Sequence, residues 1–254
     1  MSEMKDYLST TLLLYFDSLN STNLKLKELN NEKPMPEYSG VITRDQFLGR
    51  GQMGNSWESE PGMNLTFSVL LRPTGVEIAQ QFIISKLISV AIVEVLGDIT
   101  GLSFNIKWPN DIYYQQKKVA GILIENSIMG SKISETVVGI GLNVNQKVFV
   151  SNAPNPISLS QITGSDYDVA DLAVKILDKI VKYDTQVEKG QVLEVNENYF
   201  SHLFRSEGSY LFSDESGLFT ATIKGLSPMG HLILLTKAGE ERQYEFKEVE
   251  FVLD

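Results

Sequence analysis

The chain of 254 residues contains no cysteine and only two histidines, His202 and His231. The absence of cysteine excludes disulfides, thiolate zinc sites and any mechanism that passes through an enzyme thioester. Because both histidines lie far along the chain from its glycine-rich segments, a Ser-His-Asp hydrolase or a multi-histidine metal centre is poorly supported. Chemistry must therefore rest on Lys, Arg, Asp, Asn and backbone amides, which are suited to binding and polarising a phosphate group.

Positive charge and long hydrophobic runs are also scarce. The formal net charge of −10 argues against a general nucleic-acid surface, which needs clustered Lys and Arg. The longest apolar stretch, Ile88–Leu96, is interrupted by Ser89 and Glu94, so no segment is predicted to span a membrane. Early acidic residues and the lack of a small-residue cleavage site argue against a secretory signal. We therefore expect a cytoplasmic protein with neither DNA nor a membrane as partner.

The most informative segment that is present runs from Gly49 to Trp57 and reads Gly-Arg-Gly-Gln-Met-Gly-Asn-Ser-Trp. Such a segment is poorly suited to forming a helix or a central strand, because glycine loses the most conformational entropy on ordering. Closely spaced glycines are kept where backbone amides must approach a bound group, and Arg50 suggests an anion such as a carboxylate or phosphate. A surface turn beside a core tryptophan is the alternative that this segment alone leaves open.

Further motifs decide between these alternatives. They are Lys107-Trp108-Pro109-Asn110-Asp111, the segment Lys117–Glu125 and the segment Gly139–Asn145. Together they resemble the biotin–protein ligases, also called biotin–[acetyl-CoA-carboxylase] ligases. Those enzymes carry a Gly-Arg-Gly-x-x-Gly-x-x-Trp loop, a Lys-Trp-Pro-Asn-Asp segment, a Lys-x-x-Gly-Ile-Leu strand and a Gly-x-Gly-x-Asn strand. All appear here in the family's order and spacing. The resemblance extends upstream to Ser21-Thr22-Asn23 and weakly into the C-terminal region.

The resemblance implies an ATP-dependent ligase that uses ATP and biotin as substrates with Mg²⁺. Such an enzyme activates biotin as biotinyl-5′-AMP and then transfers it to a specific lysine of a biotin carboxyl carrier protein. Many relatives carry an N-terminal helix-turn-helix module, and the early position of Ser21–Asn23 leads us to expect the form without it. Three other functions stay open: a lipoate or octanoate ligase, a non-catalytic module that senses biotin or its adenylate, and, disfavoured by charge, a repressor.

Three charged residues are predicted to be catalytic: Arg50, Lys118 and Asp111. A guanidinium matches the geometry of a carboxylate or phosphate, so Arg50 is expected to neutralise the repulsion between two anions. Lys118 matches the family lysine that bridges the biotin carboxylate and the α-phosphate. Asp111 is expected to hold Mg²⁺ through water or to orient the lysine. The structural alternatives are a surface ion pair, a solvated turn lysine and a turn-capping carboxylate.

The resemblance assigns further residues to the two substrates. Hydroxyls and amides suit the ureido group of biotin, and glycines let strand backbones approach its bicyclic ring. Structural alternatives remain open for the helix-cap pair, the tryptophan and the strand-end asparagine. The predicted biotin-binding residues are Ser21, Thr22, Asn23, Gln46, Gly49, Arg50, Gly51, Trp57, Lys118, Gly121, Gly139 and Gly141. The predicted nucleotide-binding residues are Gln52, Gly54, Asn55, Trp57, Lys107, Asn110 and Asn143.

The order of predicted elements indicates an α+β fold with a mixed, largely antiparallel sheet and packed helices. Strands outnumber helices and follow each other directly, which argues against a Rossmann fold. The resemblance implies the architecture shared by class II synthetases and biotin ligases. The predicted strands are Leu12–Phe16, Val41–Phe47, Asn64–Leu71, Ser103–Lys107, Asp111–Gln115, Val119–Ser127 and Ile133–Val144, with a tight turn at Gln116–Lys118. The predicted helices are one running toward Leu29, Glu77–Leu96, and one or two within Val169–Tyr199.

Two domains are predicted, a catalytic domain over residues 1–205 and a C-terminal domain over residues 206–254. The second contains short strands separated by turns, and the resemblance implies a small SH3-like β-barrel. A domain of about 50 residues is small for folding stably on its own, so this domain should dock on the first. An exposed edge strand would suit a homodimer or a carrier complex, and the sequence does not choose between them.

The glycine-rich segment departs from the family at two positions, and this difference leads to a prediction. The family loop often reads Gly-Arg-Gly-Arg-x-Gly-Arg, whereas Gln52 and Asn55 stand here in place of the later arginines. Because two cations are missing from the phosphate region, the adenylate should escape faster from this protein than from an arginine-rich relative. The dissociation rate of the adenylate measures this, and equally slow release from both proteins would refute it.

Overall fold

The computed structural model describes residues 11–151 and 155–253. Within them, seven strands form one sheet in the order β1-β2-β3-β7-β6-β5-β4, and five form another in the order β11-β10-β9-β8-β12. The first sheet contains β1 (Leu13–Leu19), β2 (Gly40–Gln46), β3 (Leu65–Leu71), β4 (Asn105–Lys107), β5 (Asp111–Tyr114), β6 (Lys117–Met129) and β7 (Lys132–Leu142). The second contains β8 (Tyr210–Asp214), β9 (Gly217–Leu226), β10 (Leu232–Thr236), β11 (Glu241–Tyr244) and β12 (Glu250–Phe251). The α-helices are α1 (Thr22–Glu32), α2 (Phe82–Thr100), α3 (Leu159–Thr163), α4 (Val169–Glu188) and α5 (Val192–Ser201).

The large sheet is mixed and mostly antiparallel, as the sequence predicted. Only β1 and β2 pair in parallel, and the other neighbours pair antiparallel. A parallel pair needs a crossover connection, and α1 supplies it. The long β6–β7 hairpin lies between β3 and β5, so the strands that carry the Lys-x-x-Gly and Gly-x-Gly motifs are neighbours in the interior of the sheet.

Several predicted boundaries are corrected by the structure. The helix predicted to start at Glu77 starts at Phe82, because residues 78–80 form a separate 3₁₀ turn. It ends at Thr100, where Gly101 adopts a left-handed φ of 70° that suits glycine at a helix C-terminus. The tight turn predicted at Gln116–Lys118 begins one residue earlier, so Lys118 belongs to β6.

Helix α2 lies at the centre of the molecule, in agreement with its apolar sequence. It packs against β4, β5 and β6 on one side and against α4 and α5 on the other. Eleven of its residues are buried, including Ile84, Leu87 and Ile92, which have no exposed surface. A helix that is apolar around most of its circumference must be covered on all sides. In the described part of the chain no helix is long and apolar enough to cross a membrane.

The small sheet docks on the large one through the Trp-Pro-Asn-Asp segment. Trp108 is buried, and its indole Nε1 donates a hydrogen bond of 2.7 Å to the carbonyl oxygen of Gly230. A Cβ atom at Gly230 would lie 2.2 Å from the ring of Phe82, so only glycine fits between α2 and the second sheet. Arg205 also donates to the carbonyl of Val252 at 2.9 Å. The second sheet is therefore packed directly against the strands that carry the predicted site.

A buried carboxylate in α4 makes folding sensitive to pH. Asp184 has no exposed surface, accepts a 3.1 Å hydrogen bond from the Tyr38 hydroxyl on Oδ2, and has no partner for Oδ1 within the described residues. Burial raises the pKa of Asp184 to about 7; the Tyr38 hydrogen bond opposes this, and the nearby charges of Glu188 and Glu37 add to it. The native protein thus holds a proton that the unfolded chain releases near pH 3.8.

Asp184→Asn should stabilise the protein above neutral pH. The free energy of unfolding of the wild type should fall as the pH rises from about 4 to about 7, because native Asp184 binds its proton more tightly than the unfolded chain does. The variant should lack this fall and gain roughly 2–4 kcal/mol at pH 8, at 1.36 kcal/mol per pKa unit. Urea unfolding at pH 5 and pH 8 measures this, with Glu197→Gln on the exposed face of α5 as a control. A wild type and variant with parallel pH dependence would contradict it.

Candidate functional site

A pocket lies at the place where α1, β2, the glycine-rich loop and strands β5 to β7 meet. The cavity is about 120 Å³, well below the 300–1,000 Å³ usual for small-molecule sites. The residues that line it are Ser21, Thr22, Asn23, Gln46, Arg50, Gly51, Gln52, Asn55, Ser56, Trp57, Asn110, Asp111, Lys118, Gly121, Ile122, Leu123, Gly139, Ile140, Gly141 and Phe246.

One end of the pocket is lined by hydroxyl and amide groups. Gln46 Oε1 accepts hydrogen bonds from the backbone N–H and the hydroxyl of Thr22, at 2.9 and 3.2 Å. Ser68 Oγ lies 2.7 Å from Thr22 Oγ1 and 2.6 Å from Asn23 Oδ1. Ser21 occupies the N-cap position of α1, but its side chain makes no cap hydrogen bond. These groups lie at the start of a helix and form a preorganised network with the donors and acceptors that a polar ring system requires.

Ser68 is a supporting residue that sequence reasoning missed. It lies in β3, a strand that is buried along its whole length, and it has no exposed surface. A signal was available, because a hydroxyl in the middle of a buried strand must find hydrogen-bond partners. Its partners are Thr22 and Asn23, predicted ligand-binding residues of α1, so Ser68 orients them from the neighbouring strand β3.

Glu125 on β6 holds several groups beside this polar end. Its carboxylate accepts a 2.7 Å hydrogen bond from Asn23 Nδ2, lies 3.0 Å from Lys27 Nζ and lies 3.9 Å from Arg50 Nη1. Burial favours a higher pKa for Glu125, but the hydrogen bonds from Asn23 and Lys27 and the charges of Lys27 and Arg50 outweigh it, so the pKa is lowered. Glu125 is therefore ionised at neutral pH, and an incoming anion competes with it for Arg50.

The other end of the pocket contains an ion pair. Lys118 Nζ lies 2.6 Å from Asp111 Oδ1 and 5.8 Å from the Trp57 ring. A β-bulge in the β5–β6 pairing at Ile112 and Tyr113 brings Lys118 and Asp111 to the same side. Asn110 exchanges hydrogen bonds with the main chain of Ile122, which fixes the start of β5. The two predicted catalytic residues of these strands thus lie in direct contact.

The floor of the pocket is made of glycine backbone. A Cβ at Gly141 would lie 2.4–2.7 Å from the Trp57 ring, and one at Gly121 would lie 3.2 Å from it. A Cβ at Gly139 would lie 2.4 Å from Asn23 Oδ1. These glycines therefore make room for the side chains of the site. The Trp57 indole nitrogen is buried and has no hydrogen-bond partner within the described residues, so it can donate to a ligand.

The glycine-rich loop forms a short hairpin closed by its own backbone. Trp57 N donates to Gly49 O at 3.0 Å, and Gly51 N donates to Asn55 O at 2.7 Å. The tip is a 3₁₀ turn in which Gly54 adopts a φ of 84°, which favours glycine. Gly49 and Gly54 shape the loop but do not line the pocket, whereas the other predicted loop residues do.

Besides Gly54, two predicted nucleotide-binding residues lie outside the pocket lining, Lys107 and Asn143. Lys107 Nζ lies 5.3 Å from the Tyr113 ring and 5.1 Å from the Phe251 ring, and burial lowers its pKa although Asp111 opposes the shift. Asn143 is buried and donates from its side chain to the carbonyl of Ile157 at 3.2 Å. In this arrangement Lys107 thus contacts aromatic rings and Asn143 supports neighbouring backbone, and their binding to a nucleotide stays a prediction.

Five lining residues were not predicted: Ser56, Ile122, Leu123, Ile140 and Phe246. The three aliphatic residues lie within two positions of predicted glycines in β6 and β7, so their motif neighbours were the available signal. Phe246 comes from the connection between β11 and β12, and no local pattern marks it. Its ring lies 6.4 Å from the Trp108 ring, so docking of the second sheet brings it to the pocket.

The pocket offers little to a tightly held metal ion. No group of three acidic or histidine side chains able to hold a metal occurs among residues 11–151 and 155–253. Asp111 is the one carboxylate that lines the pocket, and it is paired with Lys118. Mg²⁺ commonly binds through one or two carboxylates together with waters and substrate phosphates. This donor set thus fits Mg²⁺ that arrives with a nucleotide.

Residues 15–143, just over half of the chain, match the family described as Biotin/lipoate A/B protein ligase. The chain belongs to this family. The family match covers the glycine-rich loop, the Trp-Pro-Asn-Asp segment and both central strands, and it reaches the asparagine at the end of the Gly-x-Gly-x-Asn motif.

Several individual proteins are also similar to this chain. Bifunctional ligase/repressor BirA of Bacillus subtilis is 35% identical over 170 residues, covering 65% of this chain and 51% of that protein. The chain thus spans about half the length of the first curated relatives it matches. Biotin–[acetyl-CoA-carboxylase] ligase of Paracoccus denitrificans is 28% identical over 91% of this chain and 95% of that protein. Biotin protein ligase from Aquifex aeolicus, solved with biotin and ATP, has a TM-score of 0.79 at 29% identity and covers 95% of this chain and 99% of that one.

Gly141→Ala should disturb the pocket without unfolding the protein. The added methyl group would overlap the Trp57 ring, which must then leave the glycine floor. We expect the emission of Trp57 to shift to longer wavelength, because displacement exposes the indole to water, while the melting temperature falls by only a few degrees. Gly225→Ala is the control, since a Cβ there would meet nothing within 4 Å. Unchanged emission in Gly141→Ala would contradict the close packing.

Proposed function

We propose that this family member is an ATP-dependent biotin–protein ligase that forms biotinyl-5′-AMP and passes biotin to a lysine of a biotin carboxyl carrier protein. One observation carries the proposal: a single pocket holds a hydroxyl and amide end, beside Thr22 and Asn23, and a cationic end, at Lys118. Biotin has the same polarity, with a ureido ring at one end and a carboxylate at the other. The dithiolane ring of lipoate has no groups to satisfy the polar end, which favours biotin.

In the first half-reaction a carboxylate oxygen of biotin attacks the α-phosphorus of ATP. The bond from that phosphorus to the bridging oxygen breaks, and pyrophosphate leaves with the electron pair. Two anions must meet, so the site must neutralise their repulsion and hold them in line. Lys118 is positioned to bridge the carboxylate and the α-phosphate, and Asp111 orients it in the absence of substrate. Arg50 is free to turn from Glu125 toward either anion, because it is half exposed and 3.9 Å away.

The proposed substrate contacts follow the pocket lining. Ser21, Thr22, Asn23 and Gln46 would bind the ureido group, over the floor formed by Gly121, Gly139 and Gly141. Gln52 and Asn55 on the loop and Asn110 on the strand side would contact the nucleotide. Asp111 would hold Mg²⁺ together with phosphate oxygens, and the ion would supply charge neutralisation for the triphosphate.

In the second half-reaction the amine of the carrier lysine attacks the acyl carbon of the adenylate. AMP leaves, a proton is lost from the nitrogen, and an amide forms. No enzyme nucleophile is needed, which agrees with a chain that has no cysteine. The glycine-rich loop and the Trp57 ring, which both line the pocket, would limit the access of water to the activated acyl group before the carrier arrives. A carrier domain of a biotin-dependent carboxylase such as acetyl-CoA carboxylase is the proposed partner.

The proposal divides the chain into a catalytic domain, residues 1–205, and a C-terminal SH3-like domain, residues 206–254. The five antiparallel strands of the second sheet support this division, and β8 to β12 all fall within the second range. Phe246 lines the pocket from this domain, so we assign it a part in closing the site.

Transfer of labelled biotin to a purified carrier domain, with ATP and Mg²⁺, tests the proposal. The wild type should label the carrier, and Lys118→Ala should lower the rate by about 10²-fold or more because the bridging charge is lost. Lys117→Ala, one residue earlier and exposed, is the matched control and should retain the rate. Lipoate in competition should not reduce labelling. Tight biotin binding without transfer would instead favour a sensor module, and transfer of lipoate would favour the lipoate ligases.

A further inference from the structure

A carboxylate outside the pocket connects two segments that flank it. Glu58 follows Trp57 directly and is not among the lining residues. Its Oε1 accepts hydrogen bonds from Gln146 Nε2 at 3.0 Å and from Val150 N at 2.9 Å, and its Oε2 accepts one from Ser151 N at 2.8 Å. With a further hydrogen bond from the Ser151 side chain, these donors form a strong, charge-assisted set on one carboxylate. Burial opposes ionisation of Glu58, but these hydrogen bonds outweigh it and lower the pKa, so the group is an anion at neutral pH.

The partner Gln146 is buried and uses both ends of its amide. Its Oε1 accepts a 3.0 Å hydrogen bond from Glu60 N and another from Asn64 Nδ2, and its Nε2 also donates to Val148 O at 2.8 Å. Asn64 in turn accepts from Val144 N at 3.0 Å. Glu58 thus belongs to a satisfied polar network that joins the exit of the glycine-rich loop to the segment after β7.

The segment that Glu58 binds runs on to the other half of the site. The backbone of Lys118 pairs with residues that follow it: Lys118 N donates to Asn155 O at 2.9 Å, and Ile157 N donates to Lys118 O at 2.9 Å. Residues 146–151 and 155–157 therefore connect Glu58 with the strand of the catalytic lysine, and only 152–154 between them lie outside the described residues. Val148 and Val150 are 66% and 85% exposed, so apolar burial contributes little to holding this segment in place.

We propose that Glu58 is a positioning residue that holds the exit of the glycine-rich loop against residues 146–151 and so sets the loop for nucleotide binding. This inference rests on the proposed function. The loop entry is held by backbone bonds from Phe47 and Leu48 to the end of β1 and the residue after it, so Glu58 supplies the matching restraint at the exit. Without this restraint, the part of the glycine-rich loop that carries Gln52 and Asn55 must be ordered by the nucleotide itself, at a cost in conformational entropy.

Glu58→Gln tests the proposal, because it keeps the shape and removes the charge. Glu60→Gln is the matched control, since Glu60 is exposed and lies two residues further along the same segment. In the ligand-free protein, hydrogen exchange of the Val150 and Ser151 amides should be about tenfold faster in Glu58→Gln only, the equivalent of 1.4 kcal/mol. In biotin-dependent pyrophosphate release, the KM for ATP should rise about fivefold or more while kcat stays within about twofold.

The outcomes separate the two proposals. Unchanged exchange at residues 146–151 in Glu58→Gln would overturn the positioning role whatever the enzymatic activity. Parallel losses in kcat and melting temperature would show a general structural role and would also overturn it. A wild type that releases no pyrophosphate from ATP with biotin would refute the proposed function, and the exchange measurement would still decide whether Glu58 holds the two segments together. Partial recovery of the KM in Glu58→Asp would support the role of the charge.

Discussion

The packing of the Trp57 indole on bare strand backbone is the constraint on which the site depends. A side chain at Gly141 would occupy the position of the ring, and one at Gly121 would crowd it. Because the ring packs closely against this floor, the glycine-rich loop folds down over the strands and brings Arg50 to the pocket. The loop glycines give the backbone freedom to turn, but the strand glycines determine where it comes to rest.

Acidic side chains hold the cations of the site in place before any substrate binds. Asp111 pairs with Lys118, and Glu125 lies near Arg50 and Lys27. A chain with a net charge of −10 can therefore present a cationic pocket, because the distribution of charge matters more than its sum. In the proposed reaction, each ion pair must be weakened when a substrate anion arrives. Part of the binding energy would then be used to replace the protein carboxylate at each cation by a substrate anion, and the exchange would leave the cations correctly oriented.

The second sheet is part of the site as well as a separate layer. Trp108 donates a hydrogen bond to the carbonyl oxygen of Gly230 and lies beside Phe246, which lines the pocket. The same Trp-Pro-Asn-Asp segment that supplies Asp111 therefore carries the docking contact. A shift of the second sheet would move both the pocket wall that Phe246 forms and the Asp111 carboxylate, which couples the two layers mechanically.

The sequence alone determined the family, the mixed sheet, its main strands and most of the pocket, because these follow from local motifs and from the order of strands. It also predicted the pairing of Lys118 with Asp111 as one of two roles for that carboxylate. Tertiary structure decided what no local pattern records: the support of Asn23 by Ser68 and Glu125, the arrival of Phe246, and the placement of Lys107 away from the pocket. The contacts to Asn23, for example, join residues that are 45 and 102 positions apart in the sequence. The distance along the chain does not show that such residues meet in space, because their contact forms only when the elements pack together.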